Sequence, residues 1–476
     1  MTFIASLASV LPEPVLPELL YVLSAVLFIL SLRWMSEVKT SRRGNLAGAV
    51  GMLVAVIATV FAVGLQQYSL VVLALIIGGI AGALMALKMP MTAVPQRTAI
   101  SHAFGALAAA LVGTAEFFHN TPNIDAFTMA ILGLEVILGY LTFTGSIIAF
   151  LKLQELISGR PMIYPYRRVI SILVFGGALV AGIFLVINPS MIWLFVLMVL
   201  LSLIFGKLLV LSIGAADMPT VIAILNSFAG LSAAGLGFVL NNKLLIVAGA
   251  LDGSSGFILA LLMCKAMNRS FANVLFGGFG SAAKAEGSGG SEGVHAVQKT
   301  MKSMDVEEAA PLLAYARSVI IVPGYGMAVA QAQHAVHDLM DMLEAKGVKV
   351  HFAIHPVAGR MPGHMNVLLA EADVPYEQLK EMDAINHEFK HTDVALVVGA
   401  NDIVNPAATH NKGSPIYGMP ILKVHEAKTV LVIKRSPGGV GFAGIQNELF
   451  TYPNTSMVYG DAKEVMNKLV QCVKEI

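Results

Sequence analysis

A glycine-rich turn in the last third of the chain contains the residue types that bring a backbone close to a phosphate. It comprises Gly324, Tyr325, Gly326, Met327, Ala328 and Val329. The first glycine permits a tight turn, and the second lets the backbone approach a pyrophosphate at a helix N-terminus. A strand precedes the turn, and a helix that runs to about Lys346 follows it. This order is the context of a dinucleotide fingerprint, although Val329 replaces the usual small residue.

The residues after two other predicted strands indicate which dinucleotide this turn would hold. An NAD site usually has a carboxylate after the second strand, whereas this chain has His355 and then Arg360. The absence of a carboxylate there favours a 2′-phosphate. Lys434 and Arg435, which follow a later strand, would be charge-assisted donors to that phosphate. We therefore predict NADP(H) as the ligand. The alternative is that Lys434 and Arg435 form an ordinary solvated strand end.

The third predicted strand ends in small and polar residues, namely Gly399, Ala400, Asn401 and Asp402. Because parallel strands place their carboxyl ends at one edge of a sheet, we expect these residues beside the glycine-rich turn. The strands predicted for this sheet are 318–322, 349–354, 394–398 and 430–433. The sequence shows no cysteine pair, flavin motif or nucleophile arrangement beside them. Either a second nucleotide is carried by another chain, or the fold is regulatory.

Polar side chains within apolar segments form a second group that could do chemistry. A charge in hydrocarbon costs at least about 2.5 kcal/mol and is usually retained for a pathway. His102 lies about one third of the way across its predicted helix, and histidine exchanges protons near neutral pH. Asn226 and Ser146 could carry water beside it, and Asp217 begins another helix. The alternatives are a neutral histidine bonded between helices, helix-contact roles for Asn226 and Ser146, and an N-cap at Asp217.

Three further carboxylates lie within or near the apolar segments. Glu116 is near the end of its segment, whereas Glu135 and Asp252 lie deeper. The sequence leaves the proton path beyond His102 open among these three residues.

Composition indicates that the polar residues within apolar segments and the candidate nucleotide-binding residues lie in two different domains. The 476 residues are 56% hydrophobic and 13% charged, which excludes a single soluble enzyme. Nine apolar runs of about 20 residues, each long enough to cross a bilayer, occupy the first part of the chain. We predict a polytopic α-helical membrane bundle of about nine spans at 1–275 and a flexible linker at 276–295. A soluble α/β Rossmann-like domain with a parallel sheet is predicted at 296–476.

The charged residues indicate an orientation and exclude some partners. Arg33, Lys39, Arg42 and Arg43 follow the first apolar run, whereas the opposite loops hold almost no basic residues. The positive-inside rule then places the N-terminus outside and the C-terminal domain in the cytoplasm. A net charge of +1 gives no reason to expect a nucleic-acid partner. Two distant cysteines do not suggest a metal site.

Several motifs strongly resemble the beta subunit of proton-translocating NAD(P) transhydrogenase. In the α/β domain they are residues 324–333, 355–372, 399–408 and 432–436. In the membrane domain they are residues 217–219, 225–227 and 264–270. The resemblance implies a multi-pass protein of a bacterial-type inner membrane that binds NADP(H). It also implies an alpha subunit that binds NAD(H), in a dimer of alpha-beta units.

The resemblance also assigns roles to particular residues. His102, Asn226, Asp217 and Ser146 fall on positions that matter to proton transfer, so the chain would couple hydride transfer to proton movement and mainly make NADPH. Lys434 and Arg435 fall on the 2′-phosphate contacts, and Asp402 on an acid near the nucleotide. The other nucleotide positions it implies, beyond the residues already named, are Val357, Ala358, Gly359, Arg360, Ser436, Gly441 and Phe442. Phe442 stands where a tyrosine is expected, and Asp252 where an apolar residue is expected.

Two other functions are left open by one sequence. An ion channel or transporter with a redox-sensing dinucleotide domain would need a selectivity filter or broken helices that bind ions. The sequence has no TVGYG-like segment and no carboxylate-rich filter loop. A membrane scaffold that binds NADP without chemistry is the other alternative.

Overall fold

Apolar helices followed by a parallel sheet make up the part of the chain that the computed structural model describes. That part comprises residues 15–36, 40–63, 68–158, 162, 165–214, 217–267, 270, 271, 274, 301–361, 363–414, 416–441 and 443–476. The predicted linker at 276–295 and Phe442 lie outside it. A membrane bundle followed by a Rossmann-like domain is confirmed as the architecture.

Nine of the described helices are long and apolar enough to cross a membrane, and they match the predicted spans to within a few residues. They are α1 (Val15–Met35), α2 (Ser41–Val63), α3 (Tyr68–Lys88), α4 (Val94–Asn120), α5 (Ala126–Leu153), α6 (Arg167–Ile187), α7 (Ile192–Leu211), α8 (Met218–Val239) and α9 (Lys243–Ala266). Pro95 and Pro219 lie in the first turns of α4 and α8, where a missing N–H costs no helical hydrogen bond. Asp125 and Asn242 cap α5 and α9 with their side-chain oxygens.

Small residues let α4 pack closely against α5, and α8 against α9. Gly230 in α8 touches Gly253 in α9, since a Cβ on Gly230 would lie 2.6 Å from the Cα of Gly253. Gly139 in α5 lies against α4, where a Cβ would be 2.8 Å from the Cβ of Ala110. Close packing of this kind holds helices together in lipid, where burial of apolar surface gives no driving force between them. Of the described spans, α5 and α8 are the most buried, and they form the centre of the membrane domain.

A buried lysine ties α5 to the end of α7. The side chain of Lys152 donates to the carbonyl oxygens of Val210 and Leu211, both at 3.0 Å, and of Ile213 at 2.5 Å. These carbonyls lie at the C-terminus of α7, where the helix dipole favours a cation. The lysine is thereby satisfied without a carboxylate partner.

The α/β domain is built on six parallel strands in the order β3-β2-β1-β4-β5-β6. The strands are β1 (Ser318–Pro323), β2 (Lys349–Ile354), β3 (Leu379–Glu381), β4 (Val394–Val398), β5 (Thr429–Lys434) and β6 (Thr455–Tyr459). The four predicted strands are confirmed, whereas β3 and β6 were not predicted. β3 has only three residues, and β6 mixes polar and apolar residues, so neither has the apolar run that identified the others.

Helices cover the two faces of this sheet. They are α10 (Val306–Ala314), α11 (Tyr325–Val329), α12 (Gln333–Ala345), α13 (His364–Glu371), α14 (Met382–Ile385), α15 (Ala407–His410) and α16 (Ala462–Glu475). The prediction of one continuous helix from the glycine-rich turn to Lys346 is wrong. Gln331 has a φ of +50°, in the left-handed region, and this residue separates α11 from α12.

The α/β domain has a hydrophobic core of its own. The buried cluster that includes Ile321, Val397 and Leu469 is drawn only from residues between Val306 and Val473. A segment with a separate core is expected to fold without its neighbours. Residues 301–476 are therefore a suitable fragment for binding measurements.

Candidate functional site

A cavity of about 400 Å³ lies at the carboxyl edge of the sheet, next to the ends of β1, β4 and β5. It is lined by most of the predicted nucleotide residues, namely Gly324, Tyr325, Gly326, Val329, Val357, Ala358, Gly359, Gly399, Ala400, Asn401, Asp402, Lys434, Arg435, Ser436 and Gly441. The strand order reverses between β1 and β4, and doubly wound sheets bind ligands at such a switch point. The cavity therefore has the position of a dinucleotide site.

Some predicted residues lie elsewhere, and some lining residues were not predicted. Met327 and Ala328 are buried in the core, and the side chain of Arg360 points to the membrane bundle. The lining residues that sequence reasoning missed are Ile403, Ile433, Gly439, Val440, Gly460 and Ala462. Gly460 and Ala462 follow β6, the strand that was not predicted. The isoleucines and Val440 carry no chemical signal in the sequence.

The glycine-rich turn is shaped by the backbone of the turn after β4. A Cβ on Gly326 would lie 2.7 Å from the Cα of Gly399, and a Cβ on Gly324 would lie 2.5 Å from the nitrogen of Ala400. The N–H of Gly324 donates to the carbonyl of Val398, and the N–H of Gly326 to that of Gly399, both at 2.9 Å. Gly399 also has a φ of +67°, which favours glycine. The turns after β1 and β4 are thus held together by backbone hydrogen bonds and close contacts. Helix α11, which follows the first turn, is only five residues long.

Asp402 holds the loop after β5 over the cavity. One of its carboxylate oxygens accepts from the side chain of Asn401 and the other from the N–H of Ala443, both at 2.9 Å. Gly441 passes so close that a Cβ there would lie 2.5 Å from the Cγ of Asp402. Asn447 donates to the carbonyl of Asn401 at 2.8 Å and joins the same two loops. The acid implied to lie near the nucleotide therefore fixes the wall of the cavity.

Lys434 and Arg435 lie at the edge of the cavity with partners from the protein. The ammonium of Lys434 donates to the carbonyl of Gly439. Burial lowers the pKa of Lys434 to about 8, and the nearby charge of Asp402 opposes this shift. Arg435 pairs with Asp461 at 3.1 Å, and its side chain is 64% exposed. Because exposed ion pairs contribute little, a bound phosphate can compete for this guanidinium.

Two neutral histidines order the loop after β2. Nδ1 of His355 accepts from the N–H of Val357 at 3.2 Å, so Nε2 carries the hydrogen that the carbonyl of Pro420 accepts at 2.9 Å. Burial lowers the pKa of His355 to about 4. Nδ1 of His364 accepts from the N–H of Arg360 at 2.9 Å, and burial, followed by the charge of Arg360, lowers the pKa of His364 to about 4. His355 therefore supports the loop in its neutral form.

Arg360 connects the cavity loop to the membrane bundle. Its guanidinium donates to the carbonyl of Leu153 at 2.9 Å and pairs with Glu155 at 2.9 Å. The guanidinium also lies 4.2 Å from the ring centre of Tyr325, which lines the cavity. Gln96, in the first turn of α4, donates to the same carbonyl of Leu153 at 3.2 Å. The loop that lines the cavity thus contacts the end of the bundle where α4 begins and α5 ends.

The packing of α4 against α5 sets the level of His102 in the bundle. Gly113 touches Glu135, since a Cβ on Gly113 would lie 2.9 Å from the Cδ of Glu135. The two helices run antiparallel, so counting back from this pair places His102 at the level of Ser146. At 1.5 Å per residue, this level is about 12 Å from the end of α4 that lies next to Arg360.

Helix α8 brings Asn226 to the level of the histidine. Gly145 in α5 packs against Leu225, because a Cβ on Gly145 would lie 3.0 Å from a methyl of Leu225. The side-chain amide of Asn226 donates to the carboxylate of Asp252 in α9 at 3.2 Å. Asp217 precedes α8 at the end of the bundle next to the α/β domain. Three of the four residues predicted for proton transfer therefore share one level, and Asp217 lies at the end.

Several buried polar atoms near this level have no hydrogen-bond partner within the described ranges. They are His102 Nδ1, Thr142 Oγ1, Ser146 Oγ and Thr220 Oγ1. Such atoms are rare in packed interiors, because each costs about 1–3 kcal/mol. Farther from the α/β domain, Glu135 accepts from Ser232 at 3.2 Å through one oxygen, and its other oxygen has no described partner. A row of polar groups along membrane helices is typical of a pathway for ions or protons.

Comparison with known proteins identifies the family. The family described as NAD(P) transhydrogenase beta subunit matches residues 17–472. NAD(P) transhydrogenase subunit beta of Rhodospirillum rubrum is 47% identical over 460 residues, which cover 95% of this chain and 98% of that protein. The protein of the same name from a named strain of that species gives the same values. The resemblance inferred from the motifs is confirmed, and this chain belongs to the NAD(P) transhydrogenase beta subunit family.

Proposed function

We propose that this chain binds NADP(H) in the cavity at its sheet edge and moves protons through its membrane helices. Hydride passes between this nucleotide and NAD(H) on an alpha subunit, in a dimer of alpha-beta units. The reaction is NADH + NADP⁺ + H⁺ outside giving NAD⁺ + NADPH + H⁺ inside, mainly in the direction of NADPH. The chain lies in a bacterial-type inner membrane with its N-terminus outside and its α/β domain in the cytoplasm.

One observation carries this proposal, namely the contact that Arg360 makes between the cavity and the bundle. The loop of Arg360 lines the cavity, and its guanidinium donates to Leu153 at the end of α5. Gln96 shares that carbonyl and lies in α4, the helix that contains His102. A change in the cavity loop therefore has a short physical route to the helix with the proton-exchanging side chain. A channel whose α/β domain only senses redox state does not explain membership of this enzyme family.

The choice of NADP(H) over NAD(H) is supported by charge at the cavity edge. Lys434 and Arg435 supply positive charge, and the loop after β2 has the neutral His355 where NAD sites have a carboxylate. The glycine-rich turn brings backbone close to the same space, and Asp402 fixes the opposite loop. The nucleotide supplies the hydride chemistry when bound. The residues of this chain orient it toward the partner subunit.

His102 is the proton-exchanging group of the proposed pathway. At its level, polar atoms of α4 and α5 have no hydrogen-bond partner among the described residues, and Asn226 lies at the same level in α8. Asp217 lies toward the α/β domain, and Glu116 lies toward the opposite end of α4. Histidine can take up a proton from one side and release it to the other at the pH of both compartments. Coupling requires that nucleotide occupancy bias which side the histidine can reach.

The choice of cofactor can be tested on residues 301–476. We expect this fragment to bind NADPH roughly 100-fold more tightly than NADH, because two charge-assisted contacts to a phosphate are lost in NADH. Lys434→Gln with Arg435→Gln should remove most of the preference, mainly by weakening NADPH. Isothermal titration calorimetry measures both affinities. Lys346→Gln, a change of an exposed lysine after α12, is the matched control, and equal affinities in the unmodified fragment would contradict the proposal.

The pKa of Lys434 predicts how NADPH binding depends on pH. Without nucleotide this pKa is about 8, and the phosphate binds the charged form. Affinity should therefore fall as pH rises from about 7 to about 9, since a growing fraction of the lysine is neutral. Lys434→Arg should remove this fall, because a guanidinium stays charged. A profile for the unmodified fragment as flat as that of Lys434→Arg would show that Lys434 makes no phosphate contact.

The beta chain purified alone should not catalyse transhydrogenation. Its cavity holds one nucleotide, and the second reactant must come from the alpha subunit. NADPH-dependent reduction of an NAD analogue in membranes tests this, with both chains present as the positive control. Activity of the beta chain without its partner would refute the division of the site between subunits.

Replacing His102 should separate nucleotide binding from proton movement. We expect His102→Ala to abolish proton pumping and the coupled reverse reaction in vesicles that contain both subunits, because alanine cannot exchange a proton. Binding of NADP(H) by the α/β domain should be unchanged. His119→Ala is the matched control, since His119 is an exposed histidine in the last turn of the same helix. Pumping by His102→Ala at the unmodified rate would leave the histidine a neutral residue bonded between helices.

A further inference from the structure

The only carboxylate in α9 lies in the middle of that helix and is bonded to Asn226. We propose that Asp252 is a second proton-exchanging group, which passes protons between His102 and the side of the membrane away from the α/β domain. The proposal rests on the proton-translocating function argued above. It adds Asp252 to the proton path and assigns it to the side of the membrane away from the α/β domain.

The contact between Asp252 and Asn226 is held by close helix packing. Nδ2 of Asn226 donates to Oδ1 of Asp252 at 3.2 Å. Gly256, one turn farther along α9, lies against the same amide, since a Cβ there would be 2.8 Å from Nδ2. Gly230 and Gly253, the residue after Asp252, keep the two backbones in contact beside it. The amide therefore has little room to turn away from the carboxylate.

Asp252 lies farther from the α/β domain than His102 does. The contact of Gly230 with Gly253 puts Asp252 about 7 Å farther from the α/β domain than Asn226, which shares the level of His102. Asp252 thus lies between the histidine and the far end of the bundle. A group that exchanges protons with the far side would occupy this position.

Among the described helices that pack against α9, no cationic side chain lies at the level of Asp252. On α9 the ionisable side chains are Lys243 at the first residue and Cys264 and Lys265 in the last turn. On α8, which packs against α9, the acid is Asp217 at the N-cap. Helix α1 also packs against α9, and its ionisable side chains are Glu18, Tyr21 and Arg33.

The pairing of Glu18 with Lys243 at 3.0 Å sets the register of α1 with α9. Nine residues farther along both helices, the level of Asp252 corresponds to Leu27 in α1. The carboxylate of Asp252 is exposed at the surface of the described chain and has only the neutral amide of Asn226 beside it. A carboxyl group held by a neutral amide can take up or release a proton without breaking an ion pair, as a group that delivers a proton requires.

The proposed transfer balances in atoms and charge. Asp252 takes a proton from water on the far side and becomes a neutral carboxylic acid. It then gives this proton, through intervening water, to the neutral imidazole of His102, which leaves a carboxylate and an imidazolium. Release of the proton from His102 toward Asp217 restores the imidazole, and uptake from the far side restores the acid. Asn226 stabilises the carboxylate by donating to it while the proton is on His102.

The test compares three variants in vesicles that contain both subunits. Asp252→Asn keeps the shape of the side chain but cannot exchange a proton, so we expect proton pumping to fall roughly 100-fold. Asp252→Glu should restore most of the rate and shift its pH profile. Ser254→Ala is the matched control, since Ser254 is exposed on the same helix and its hydroxyl bonds only within that helix. Pumping is followed with a pH-sensitive dye, and NADP(H) binding is measured in parallel.

The outcomes distinguish this proposal from the function on which it rests. Absence of pumping by the unmodified complex would contradict the proposed function itself. Pumping by the unmodified complex and by Asp252→Asn at equal rates and with equal pH profiles would overturn the role of Asp252 alone. Loss of pumping in Asp252→Asn with recovery in Asp252→Glu supports it.

A second measurement uses the unmodified complex and does not depend on any variant folding. A hydrophobic carbodiimide reacts with carboxylic acids in their protonated form within membranes. We expect mass spectrometry of treated vesicles to find the adduct on Asp252, with labelling that falls as the pH rises. An unlabelled Asp252 at every pH would overturn the proposal.

Discussion

The structure depends on one arginine that is almost removed from water and shared between its two domains. Arg360 is only 7% exposed, and removing a partner from a buried charge costs about 3–5 kcal/mol. Its guanidinium therefore keeps the carbonyl of Leu153 and the carboxylate of Glu155 at the end of α5. The backbone that carries it forms the wall of the nucleotide cavity, beside Tyr325. Movement of that wall must either carry the end of α5 with it or break these bonds.

In the proposed function, this contact is the route by which a nucleotide at the sheet edge would influence a proton inside the bilayer. Gln96 bonds to the carbonyl that Arg360 also uses, and it lies six residues before His102 in α4. At the level of the histidine, several polar atoms have no partner within the described part of the chain, whereas the surrounding helices pack closely through glycine. In the proposed coupling, the two states differ in which side of the membrane this row of polar groups is open to.

Sequence reasoning predicted the parts of this arrangement that repeat along the chain and missed the parts that depend on contacts between distant segments. Apolar runs of the right length gave the membrane helices, and β-branched runs before Gly324 and Lys434 gave the central strands. β3 and β6 are short or mixed in polarity, so Gly460 and Ala462 were not placed in the cavity. Arg360 was expected at the nucleotide because it follows the second predicted strand, and nothing in its local sequence shows that Leu153 lies within reach. The bond from Asn226 to Asp252 also depends on helix register, which spacing alone does not set.

The most direct test of the account is whether protons on the far side of the membrane change the affinity of the nucleotide site. Everted vesicles that contain both subunits expose the α/β domain, so NADPH binding can be measured at constant external pH with the lumen at about pH 6 or about pH 8. We expect different dissociation constants at the two lumen pH values, and no difference after His102→Ala or with a proton ionophore. Equal dissociation constants at both lumen pH values in the unmodified complex would contradict it.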